Sequence, residues 1–113
     1  MTSEKIPLSD FQKSDLRVGK ILKVEDHPNA DKLYVITVDL AEKIPRKIVT
    51  GLKDYYKKEE LENKKAIFIT NLEPRKVRGI ESDGMILAAI NDDENKIVIL
   101  APEKDIDIGS KIS

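Results

Sequence analysis

Residues 71–89 read Asn-Leu-Glu-Pro-Arg-Lys-Val-Arg-Gly-Ile-Glu-Ser-Asp-Gly-Met-Ile-Leu-Ala-Ala, and the interpretation of this stretch decides the rest. An apolar run at 66–69 leads into it and another at 85–90 leads out, so its middle is predicted to be a long connection between two buried strands. Arg75, Lys76 and Arg78 crowd that connection beside Pro74 and Gly79, two residue types that set special backbone angles in turns. A loop of this kind presents charge to a partner. The reading it supports is a phosphate-contacting surface on a small β-barrel.

Working outward, alternation predicts further strands on both sides. Leu16, Val18, Leu22 and Val24 share one face of a first strand, with Lys20 the exception, and Gly19 suggests a bulge or sharp bend. Tyr34, Ile36, Val38 and Leu40 share one face of a second strand, and 46–50 forms a third around Ile48. Residues 51–61 have no period of two and many helix formers, which predicts one or two helical turns with Leu52, a tyrosine and Leu61 facing the core. Strands four and five are 65–70 and 85–90, and a polar turn at 92–95 joins the fifth to residues 96–101. Ser9 is expected to cap a short helical turn whose Phe11 plugs one end of the core. His27-Pro28 opens a loop, and the sole histidine reads as structural, since no second His or Cys is available to share a task. Three antiparallel strands, a short helix and two more strands are what an OB-fold requires, a barrel that commonly carries oligonucleotide sites. The fold class is therefore all-β: one domain over 1–113, a five-stranded OB-fold barrel at about 14–101 with a short helix between strands 3 and 4, and a C-terminal extension at 102–113. In that extension Ile106, Ile108 and Ile112 require burial somewhere.

Composition bounds the function. At 113 residues the chain suits a single core, and 36% charged residues imply a heavily solvated surface. Without cysteine there is no disulfide or thiolate metal site, and with no apolar run near the roughly 18 residues of a membrane helix, a cytoplasmic location is expected. The net charge of -1 hides a strong segregation: residues 1–42 carry a net -2, residues 43–79 a net +6 and residues 80–113 a net -5. A basic third between acidic flanks can give one positive face. Enzyme readings lack parts, because the glycines are dispersed and nothing identifiable would activate Ser82. No cofactor or metal is called for. Aromatic residues make up only 4% of the chain, too few for the stacking platforms that single strands demand, so a folded RNA read through phosphates and sugar hydroxyls fits better.

Asp15-Leu-Arg-Val-Gly-Lys-Ile21, His27-Pro-Asn-Ala-Asp-Lys-Leu33, Ile48-Val-Thr-Gly-Leu52 and the stretch 71–89 together resemble the free-standing tRNA-binding OB-fold family. That family includes the C-terminal domain or separate β subunit of methionyl-tRNA synthetase, cytokine-related synthetase cofactors and a bacterial secretion chaperone. The resemblance implies an RNA surface of Asn71, Arg75, Lys76, Ser82 and Met85, to which Arg78 is added on charge grounds. An architectural reading, in which Asn71 and Ser82 fix the loop and Met85 packs, fits the same residues. The resemblance further implies a non-catalytic protein that recognises tRNA shape, serving as a β subunit or trans-acting cofactor beside a methionyl-tRNA synthetase catalytic chain. It also implies a homodimer paired through terminal segments, here about 96–112 with or without the first strand's loop; the other reading of Ile106, Ile108 and Ile112 is a tail packed back on its own barrel. The alternative is a peptide-binding export chaperone on the same fold, for which the acidic C-terminal third would supply the surface.

Overall fold

The computed structural model describes residues 3–113. In chain order its elements are α1 (Leu8–Gln12), β1 (Leu16–Asp26), β2 (Tyr34–Asp39), β3 (Arg46–Thr50), α2 (Lys58–Leu61), β4 (Lys65–Ile69), β5 (Arg75–Val77), β6 (Ile80–Ser82), β7 (Met85–Ile86), β8 (Ala88–Asn91) and β9 (Lys96–Ile99). The main sheet runs β3-β2-β1-β4-β7, all antiparallel, and curls until β3 and β7 approach each other. This is a nearly closed OB-like barrel, as the order of elements predicted. β1 is long because it serves both halves, pairing with β4 through residues 16–20 and with β2 through residues 20–26. Tyr34, Ile36 and Val38 from β2, Ile48 from β3 and Ala66 and Phe68 from β4 alternate inward, as their period of two dictates, and meet Ile21 and Val24 in one core.

The bend in β1 lies elsewhere than expected. Ile21 pairs with Val38 and Lys23 with Thr37, leaving Leu22 as the extra, unpaired residue of a bulge. The extra residue reverses the parity of the strand, so Ile21 and Val24 both point inward and Leu22 is exposed. Gly19 has a different task. A Cβ there would sit 2.8 Å from both Leu40 Cδ2 and Phe68 Cδ1, so only a glycine lets β1 press this closely on the core.

Three further expectations are corrected. Pro7 rather than Ser9 occupies the cap position of α1, and Phe11 lies at the surface, lining a small cavity with Leu8, Lys111 and Ile112 instead of plugging the core. The one or two helical turns expected over 51–61 form as the single turn α2, whose start is held by the Glu60 carboxylate accepting the Lys57 amide hydrogen (2.8 Å); Leu52 and Leu61 are buried in the core as predicted. The fifth strand divides at Leu87. Only β7 pairs with β4, after which the Ile67 amide donates to the Leu100 carbonyl and β8 leaves the barrel to pair with β9.

The C-terminal extension folds back on its own barrel. β2 leaves β1 at the Lys20–Asp39 pair, and the extension takes over that edge. Gly109 N–H donates to Val18 O (2.7 Å), Val18 N–H to Ser110 O (2.9 Å) and Ile112 N–H to Leu16 O (2.9 Å). Ile108 and Ile112 are thereby half-buried, while Ile106 remains 47% exposed.

Gly19→Ala is expected to overpack the core and cost about 1–3 kcal/mol. Gly51→Ala, whose Cβ would meet only Leu33 Cδ2 at 3.8 Å, is expected to be neutral to slightly stabilising. Guanidinium denaturation of the two variants beside the parent measures the contrast.

Candidate nucleic-acid interface

The connection between β4 and β7 is ordered as a hairpin rather than an open loop. Arg75 pairs with Ser82, Lys76 with Glu81 and Val77 with Ile80. Arg78 (φ 51°) and Gly79 (φ 88°) form the two-residue turn, both in the left-handed region that a type I′ turn requires. Each strand is three residues long and contributes one apolar side chain, so no alternation announces it in the sequence.

So short a hairpin would be marginal by itself, and it is braced at root and tip. At the root, Ser82 Oγ accepts the Val49 amide hydrogen (2.9 Å), and Asp83 N–H donates to Lys47 O (3.0 Å). At the tip, His27 Nε2 lies 2.9 Å from Val77 O and Asn29 Nδ2 donates to Arg78 O (3.4 Å). Beneath the root, Arg46 reaches in three directions. It donates twice to the Glu42 carboxylate (2.8 Å each) and once to Thr70 O (2.6 Å), and lies 3.7 Å from Asp83. Hydrogen bonding to Glu42 raises its pKa further, so this guanidinium stays charged wherever the barrel is folded. Arg46 carries no sequence signal for this role, because nothing local marks an arginine at the start of a strand as a tie between three segments.

The predicted site residues separate into two sets. Arg75, Lys76 and Arg78 are exposed, and among the described residues no carboxylate lies within 4 Å of any of them. Ser82 is only 3% exposed and its oxygen is engaged with the protein backbone. Asn71 is engaged too: its Oδ1 accepts the Asp15 amide hydrogen (2.8 Å) and its Nδ2 donates to Lys13 O (2.6 Å), tying the segment before β1 to the end of β4. Met85 is exposed on β7 opposite Ile69. The structure thus brings the three cations together on one hairpin, whereas Asn71 is tied to the segment before β1 and Met85 lies beyond the hairpin on β7.

A nearly closed OB-like barrel with a braced hairpin defines a class of small barrels that can present fixed positive charge to a partner. Comparison with known proteins narrows the class. Residues 16–111 match the family described as "Putative tRNA binding domain". A methionine–tRNA ligase of Pyrococcus horikoshii is 54% identical over 109 residues, covering 96% of this chain and 15% of the ligase. The crystal structure of a MetRS-related protein from the same organism superposes with a TM-score of 0.89 at 34% identity, covering 98% of this chain and all of the other. A CsaA chaperone protein from Picrophilus torridus gives a TM-score of 0.86 at 32% identity, covering 96% of this chain and all of the other. The chain belongs to the tRNA-binding domain family and is related to the C-terminal domain of methionyl-tRNA ligases.

Ser82→Ala leaves the Val49 N–H without its partner, and the melting temperature should fall with a loss of about 1–3 kcal/mol. An unchanged melt would mean that the seam at Val49 is held by other groups.

Proposed function

We propose that this chain is a non-catalytic module that binds tRNA by its shape, acting as a β subunit or trans-acting cofactor of a methionyl-tRNA synthetase in the cytoplasm. The observation that carries the reading is the hairpin: Arg75, Lys76 and Arg78 are exposed and unpaired on a support fixed at both ends. Fixed cations suit a folded polyanion, whose phosphates hold constant spacings, and the scarcity of aromatic residues argues against a flexible single strand. Asn71 and Ser82 would then shape the surface from within, and Met85 would border it. The chain spans 15% of the Pyrococcus ligase, so its link to a catalytic chain rests on that relationship alone.

A second reading, peptide binding by an export-type chaperone, is favoured by the likeness to the CsaA protein. Gel shifts with mixed tRNA and with single-stranded RNA of equal length separate the two. Preferential retention of tRNA is expected, with affinity falling steeply in salt and Lys76→Ala reducing the log-log slope by about one. Equal binding of both RNAs, or of neither, removes shape recognition.

Pairing of two copies belongs to the same proposal, since a two-fold dimer would set two hairpins against one large RNA. Ile6 and Leu8 near the N-terminus and Ile106 in the C-terminal extension are exposed apolar groups in a highly charged chain, and they support a contact built from both terminal segments. Sedimentation at micromolar concentration should give a dimer, and Leu8→Asp combined with Ile106→Asp should give a folded monomer. A parent that sediments as a monomer, or a double variant that stays dimeric, sinks this contact.

A further inference from the structure

His27 and Ser82 are the buried polar side chains among the described residues, and both hold the same hairpin. Ser82 takes the root. His27, 5% exposed, reaches the tip from a loop fifty residues earlier in the chain. We propose that His27, assisted by Asn29, is the positioning residue that fixes the cationic tip in its tRNA-contacting place; this rests on the reading of the hairpin as the tRNA contact.

The hydrogen-bond pattern determines how the imidazole works. The Asn29 backbone N–H lies 3.0 Å from Nδ1 and can only donate, so Nδ1 accepts. The ring proton therefore sits on Nε2, where it donates to Val77 O at 2.9 Å. The loop that carries the ring is itself fixed: His27 N–H donates to Leu33 O (3.0 Å), and Pro28 restricts His27 to extended backbone angles. The imidazole is thus a rigid arm between a closed loop and the last residue of β5. Asn29 Nδ2 adds a longer bond to Arg78 O, so consecutive carbonyls at the turn are both tied to this loop. Without these ties the hairpin would hinge about the Ser82 seam. Arg78 would then lose its fixed direction, and the entropy of reordering it would be charged against binding.

Two substitutions divide the ring's functions between them. His27→Gln extends an amide N–H toward the place of Nε2 and keeps a donor for Val77 O. His27→Asn offers an oxygen near the place of Nδ1, keeping an acceptor for Asn29 N–H, and leaves Val77 O unserved. The glutamine variant should bind mixed tRNA within about twofold of the parent, and the asparagine variant about tenfold more weakly, the order one lost hydrogen bond carries. Amide hydrogen exchange at residues 77–80 should quicken in His27→Asn and stay at the parent rate in His27→Gln, with β1 and β4 unchanged in both. Equal affinity and equal exchange in the two variants overturn the proposal, because a ring that only fills space would not distinguish them. If His27→Asn does not fold, Asn29→Ala takes its place, with faster exchange at 78–80 expected and parent-like exchange overturning the role. The triple variant Arg75→Ala, Lys76→Ala, Arg78→Ala tests the underlying reading separately. Parent-like tRNA binding by that variant removes the hairpin from the RNA surface and with it the tRNA role of His27, while exchange in His27→Asn still decides whether the ring braces the tip.

Discussion

The barrel closes where Ser82 Oγ accepts the Val49 amide hydrogen at 2.9 Å and the Asp83 amide donates to Lys47 O at 3.0 Å. β3 and β7 approach each other there without a ladder of their own, so a side-chain oxygen stands in for a strand. The segment supplying that oxygen is also the segment bearing Arg75, Lys76 and Arg78. Fold and candidate surface consequently share atoms. The hairpin cannot swing away without leaving a backbone donor of β3 unpartnered and opening the side of the core where Ile48 sits. This coupling fixes the root of a projecting element of six strand residues, and the ties from His27 and Asn29 fix its tip.

Charge is organised by pairing more than by totals. The basic third owes much of its formal excess to lysines that are matched locally by carboxylates. Lys53 and Lys58 share Asp26 (3.1 and 3.2 Å), whose pKa is lowered by their hydrogen bonds, and Lys65 holds Asp105 (2.7 Å). Exposed pairs of this kind contribute little stability, but each removes a free cation from the surface field. The hairpin cations have no such partner within 4 Å among the described residues. The positive surface is therefore smaller than the sequence count suggests: beside the hairpin cations it keeps Lys43, Lys47, Lys57 and Lys64, which are exposed and likewise have no carboxylate within 4 Å among the described residues.

Much of the barrel was legible because a half-buried strand writes its period into the chain: Tyr34, Ile36, Val38 and Leu40 could be assigned to the core by alternation alone, whereas the run at 66–69 announced a strand without saying which face is inward. The bulge at Leu22 was not, since an inserted residue changes parity without changing composition, and the nearby Gly19 drew attention to a position serving close packing. The cations of the site were legible by type and spacing. Their supports were not, because Ser82 reaches Val49 across 33 residues, His27 reaches Val77 across 50 and Asn71 reaches Asp15 across 56. Such side-chain to backbone bonds leave no local pattern. The histidine could be judged structural from the lack of companions, but its partner could be known only from the folded chain.

Arg78 occupies a left-handed turn position that asparagine or glycine enters with less strain, at a cost of about 1 kcal/mol for an ordinary L-residue. Folding alone gives no reason to keep an arginine there. A library of this barrel sorted only for heat resistance would therefore drift toward asparagine or glycine at residue 78, and the survivors would be sturdier barrels with a blunted tip. Thermal ranking and ligand ranking of the same library would disagree most at this residue, which makes the turn a place where the demands of the ligand and of the fold can be read apart.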